Sequence, residues 1–130
     1  MTVRYPEMRT NVRSAVRMIA RARDADYWRN QPHFTSYFPG LCIGILYDDD
    51  EVFPDPDRVV GTVIFENEAA AFKRLFLEYD PLVDAYDAED GVGHVNDPRW
   101  PAVERAARDV LRQMSKNDAT TSPQAKDLGV

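Results

Sequence analysis

The chain has 130 residues, 44% hydrophobic and 29% charged, proportions of one ordinary globular domain that exclude collagen-like, disulfide-framework and wholly disordered classes. With 16 bases against 22 acids the formal net charge is −6, which opposes nucleic-acid phosphates and anionic lipid as dominant partners. Cys42 is the single cysteine, so neither an intrachain disulfide nor a multi-cysteine metal site can form.

Met1 to Met8 lacks the apolar core of a signal peptide, and no window approaches the ~18 uncharged apolar residues of a membrane span. A cytoplasmic protein without membrane insertion is expected. From Glu7 to Arg29 the chain is free of Gly and internal Pro, and Val12, Ala15, Val16, Ile19 and Ala22 recur at steps of three and four. This predicts an amphipathic helix with Pro6 suited to its first turn and Pro32 beyond its end.

Leu41 to Tyr47 is a seven-residue, mostly apolar run with the length of a buried strand, and Arg58 to Phe65 is a second, β-branched run. The ten residues between them, Asp48 to Asp57, include six acids and two prolines and read as a solvated loop. The two runs predict an antiparallel pair. Asn67 is a suitable cap for a helix carrying Ala70, Ala71, Phe72, Leu75, Phe76, Leu77 and Tyr79. Pro81 is expected to kink or divide that helix before Leu82 to Tyr86, and Asp87 to Asn96 reads as a loop. Asp97-Pro98 predicts the start of a closing helix with Val103, Ala106, Ala107, Val110, Leu111 and Met114 on one face. The fold expected from these elements is α+β: a small antiparallel sheet of at least two strands covered by about three helices, one domain over residues 1–116. Residues 117–130 are polar and small and read as a disordered tail.

Sequence signatures of catalysis are sparse. There is no phosphate-binding Gly-x-x-x-x-Gly-Lys loop, no Gly-x-Ser-x-Gly elbow and no Gly-x-Gly-x-x-Gly turn, so the common nucleotide and hydrolase motifs fail. His33 and His94 lack the spacing of helix-borne zinc or di-iron ligands, and the loop after Asp48 lacks the glycine and glutamate of a calcium loop. No cofactor and no metal are expected. Asp80, Asp84 and Asp87 would share a helix face, read as a water-facing stripe in preference to a cation site. Cys42, flanked by Leu41 and Ile43, reads as an inert buried thiol in preference to a nucleophile served by histidine. His94 could be oriented by Asp97 or satisfied by a nearby backbone group.

Two features remain. Asp26, Tyr27, Trp28, His33 and Tyr37, with Phe34 and Phe38, concentrate aromatic rings with polar handles and are the candidate ligand-binding residues. Arg9, Arg13, Arg17 and Arg21 follow one another at steps of four and are the candidate interface residues. Residues 1–29 carry a net +4 and residues 30–130 a net −10; that segregation is explained by docking the ribbon on acids of the same chain or of a partner subunit, with a plain solvated face as the third reading. The expected function is a non-catalytic protein-interaction or regulatory module, self-associating as a homodimer or binding another protein. The alternative is a small-molecule-binding protein or small enzyme using the aromatic segment 27–38.

Overall fold

Helices, joined by tight turns, build the molecule. The structure, a computed structural model, describes residues 2–24 and 39–121. Helix α1 spans Pro6–Ala20, with proline at its first position where the missing N–H costs nothing. The described chain resumes before a short helix α2, Gly40–Ile43, which widens into a π-helical turn over Gly44–Asp49. Turns of 3₁₀ helix follow at Pro56–Val59 and Glu66–Glu68. The second leads directly into α3, Ala69–Ala85, then α4, Gly91–Asn96, and α5, Trp100–Thr121.

The long helix α5 is the centre of the fold: α1 packs along one side of it and α3 along another, while α2 and its π turn lie on α1. The stripe Val103, Ala107, Val110, Leu111 and Met114 of α5 is fully enclosed, as are Val12, Val16 and Ile19 of α1 and Phe72, Leu75, Tyr79 and Leu82 of α3. Burial of each larger aliphatic or aromatic side chain is worth about 1.5–3 kcal/mol. Trp100 closes the lower end of this core with its ring edge-on to Tyr79 at 6.3 Å.

The α+β expectation is overturned, since the described residues contain no strand and no sheet. Leu41 to Tyr47 is helical: Cys42 and Leu46, four apart, are its fully buried residues, and the Asp50 N–H reaches back five residues to the Ile45 carbonyl at 3.0 Å. A strand would have buried alternate residues. Arg58 to Phe65 folds on itself instead of pairing. Gly61 turns the chain at φ +89°, and the Val59 carbonyl accepts from the N–H groups of Thr62, Val63 and Ile64 at 3.2, 2.9 and 3.2 Å. The one ladder-like feature is an isolated bridge from Val60 to Ile64. The turn satisfies its N–H groups locally, while the Gly61 and Thr62 carbonyls accept from the Arg4 and Tyr5 N–H groups at 3.0 and 2.7 Å, so its β-branched composition needs no sheet.

Other boundaries move as well. α1 ends at Ala20 rather than Arg29, and Arg21 to Arg23 form a turn. The acidic segment after Tyr47 is not wholly solvated, because Asp50, Val52, Phe53 and Pro56 are buried. α3 runs through Pro81 without dividing there, and Pro81 lies on its exposed face. The expected loop after Asp87 contains α4, capped where the Asp90 carboxylate accepts from the Gly93 N–H at 2.8 Å. α5 continues through Thr121, so residues 117–121 belong to the fold and not to a tail.

Candidate functional site

The arginine ribbon of α1 turns inward. Arg9 donates to both oxygens of Glu68, at 2.7 and 2.6 Å, and to Asp118 at 3.0 Å, with its guanidinium 4.7 Å from the centre of the Phe65 ring. Arg13 donates to Asp118 at 2.7 Å and to the Ser115 hydroxyl at 3.0 Å. Glu68 accepts in addition from the Phe65 N–H at 2.9 Å and from the Asn117 amide at 2.8 Å. Both arginines are buried. Burial lowers the Arg9 pKa, but the hydrogen bonds and charges of Glu68 and Asp118 outweigh it and raise the net value. For Arg13 burial prevails and the value falls. Thus Arg9 and Arg13 dock on acids of their own chain and lock α1 to α5. Arg17 is half-buried, and Arg21 pairs with Asp24 at 2.6 Å where the chain leaves the helix.

Helical phase explains the inward turn. At about 100° per residue Arg9 lies only about 20° from Val16, inside the apolar stripe. On α5 the same projection places Arg105, Arg108, Arg112 and Lys116 about 120–180° from Val110 and Met114, on the opposite face. All four are exposed. The acids of α5 are meanwhile engaged: Glu104 by a two-bonded Arg23 fork at 2.5 and 2.8 Å, Asp109 by Arg112 at 3.0 Å, and Asp118 by Arg9 and Arg13. Burial works to raise the Glu104 pKa, but Arg23 and the Trp100 N–H more than compensate, and it is lowered. Arg105, Arg108 and Lys116 have no carboxylate partner among the described residues. This outward basic ribbon, at steps of three and four, was legible from the phase of the closing helix but is less dense than the ribbon on α1.

Two concavities border it. A groove of about 290 Å³ between α3 and α5 is lined by Arg74, Arg112, Lys116, Asn67, Asp109 and Gln113. A cleft of about 610 Å³ where α1 ends is lined by Arg21, Arg23, Asp24, Glu104 and Arg108 over an apolar floor of Ala20 and Leu111.

The acids gather at the other end of the α3–α5 pair. No Lys or Arg stands between Arg74 and Arg99, a stretch holding Glu78, Asp80, Asp84, Asp87, Glu89, Asp90 and Asp97. The Tyr47 hydroxyl donates to Asp80 at 2.8 Å, bringing the start of the acidic segment 48–57 to the same region. Burial first, and Asp80 second, push the Tyr47 hydroxyl pKa well up. Asp97 is committed elsewhere. It accepts from the Tyr86 hydroxyl at 2.7 Å and from the Arg99 backbone and guanidinium at 2.8–3.0 Å.

The remaining sequence candidates are structural or lie elsewhere. Cys42 is fully buried, its Sγ 3.4 Å from the Ala15 carbonyl, and burial pushes the thiol pKa far up, which suppresses the thiolate a nucleophile needs. It sits on a helix rather than a strand, but equally far from either charge or water. His94 is buried, with Nδ1 2.7 Å from the Asp90 carbonyl, so a backbone group and not Asp97 orients its ring. No group of three or more His, Cys, Asp or Glu side chains suited to a metal occurs among the described residues. Asp26, Tyr27, Trp28, His33 and Tyr37 lie outside the described residues. Among the described residues no helix is long and apolar enough to cross a membrane.

A family profile described as "Domain of unknown function (DUF7945)" matches residues 3–122. No curated protein and no solved structure matches the sequence.

Proposed function

The chain belongs to the DUF7945 family, and we propose that its domain is a non-catalytic protein-interaction module whose exposed α5 face receives an acidic segment of a protein partner. The supporting observation is the three-dimensional sorting of charge on α5. Its carboxylates are held by arginines of the same chain, while Arg105, Arg108, Arg112 and Lys116 project into water with Arg74 beside them. Such a face attracts carboxylates over a Debye length and discriminates against basic partners. Titration with a fluorescein-labelled Glu-rich peptide tests it. Binding should weaken with added salt and be lost in the Arg112→Glu/Lys116→Glu variant. No binding, or equal binding of a Lys-rich peptide, would refute it.

A second reading, a small ligand with a carboxylate or phosphate, is favoured by the ligand-sized cleft that Arg21, Arg23 and Arg108 line. Native mass spectrometry of the purified protein tests this: an adduct lost on Arg108→Ala supports it, and an adduct-free spectrum opposes it.

A further inference from the structure

We propose that a second copy of this chain occupies the basic face, docked antiparallel about a two-fold axis so that the basic end of each α3–α5 pair meets the acidic end of the other. This rests on the interaction reading and names the partner. The two helices run antiparallel, as fixed by the Asn67–Asn117 side-chain pair at one end and the Tyr79–Trp100 ring contact at the other. The first end carries Arg74, Arg112 and Lys116; the second carries Asp84 and, just past α3, Asp87, Glu89 and Asp90, all exposed. From Arg74 to Asp84 is ten residues of one helix, about 15 Å at 1.5 Å per residue. The pair is therefore a charge dipole along its length, and two such dipoles attract when laid antiparallel.

The register agrees. An axis at the level of Tyr79 sets Arg74 of one copy opposite Asp84 of the other. Lys116, one residue before Asn117 and so level with Glu68, then faces the end of the other copy's α3, beyond which the chain carries Asp87, Glu89 and Asp90. The centre of the face also holds Leu77, 70% exposed and the largest apolar side chain left in water on α3. It lies three residues after Arg74 and four before Pro81, on their side of the helix, where its own copy can cover it. The contact is isologous: one patch serves both copies and closes at two, which keeps complementary charge from driving open polymers.

Analytical ultracentrifugation of the full chain at about 20 mM and about 500 mM salt, up to roughly 100 µM protein, tests the proposal. The expected result is a dimer at low salt that dissociates at high salt. Arg74→Glu/Lys116→Glu and, separately, Asp84→Lys/Glu89→Lys should each weaken the dimer about tenfold or more. An equimolar mixture of the two variants should restore it, because each reversed end then meets its reversed complement. All four positions are exposed, and the salt comparison needs no variant. A wild type monomeric at low salt, a dimer indifferent to salt and reversal, or a mixture that fails to re-form would each overturn the proposal. The acidic-peptide titration on the same samples separates the two claims. A monomer that binds the peptide refutes self-docking alone; a monomer that does not refutes both.

Discussion

Arg9 and Glu68 face each other as a two-bonded fork, Nη1 to Oε1 at 2.7 Å and Nη2 to Oε2 at 2.6 Å, with 7% of the arginine side chain and none of the glutamate exposed to water. The pair joins the first turn of α1 to the start of α3 across 59 residues of sequence. Every bonding direction of the glutamate is used, by Arg9, the Phe65 N–H and the Asn117 amide. That satisfaction is what makes a buried charge pair tolerable.

Removing one member leaves the other as an uncompensated buried charge. Glu68→Ala and Arg9→Ala should each cost about 3–5 kcal/mol by urea unfolding. Arg9→Met combined with Glu68→Leu should cost less than either single change, because no charge is then stranded. A double variant as unstable as the sum of the singles would contradict this account.

Asp118 sits beyond the expected end of the closing helix, yet it binds Arg9 and Arg13 together. Asp118→Ala should cost roughly 1–3 kcal/mol, less than Glu68→Ala because its side chain keeps 16% exposure. Thermal unfolding of the two variants side by side checks the order, and a silent Asp118→Ala would show that the last turn of α5 does not hold α1.

Asp97 is held well below the usual carboxylate range, first by the Arg99 guanidinium, then by the Arg99 N–H and the Tyr86 hydroxyl. A depressed folded pKa stabilises the fold above the unfolded carboxylate pKa of about 3.9 and loses that stabilisation as pH falls through the lower folded value. Asp97→Asn should therefore be less stable than wild type at neutral pH, and the gap should narrow in acid below about pH 4. A gap that is constant from neutral pH to pH ~2 would show that ionisation of Asp97 is not what holds Tyr86 and Arg99.

The sequence by itself determined the amphipathic helices. The α1 stripe of Val12, Val16 and Ile19 and the α5 stripe from Val103 to Met114 were readable because helical period is a local property of the chain. The same period gave Arg9, Arg13, Arg17 and Arg21 only as a ribbon, with docking on the same chain, docking on a partner and a solvated face all open, and it was the packing of α1 on α5 that put Arg9 inside and left Arg105, Arg108, Arg112 and Lys116 outside. Tertiary structure decided the rest. Leu41 to Tyr47 and Arg58 to Phe65 have strand composition, but with no partner strand in the described fold their backbone groups are satisfied in a π turn, around the Val59 carbonyl, and by the Arg4 and Tyr5 N–H groups on the Gly61 and Thr62 carbonyls. The stripe of α5 turns polar at Asn117 and Asp118, which hid five residues of helix. Asn117 and Asp118 are half-buried and held in the fold by Arg9, Arg13 and Glu68, more than 45 positions away, which supply their hydrogen-bond partners. Whether a charge is surface or core depends on such distant partners, and no local window contains them.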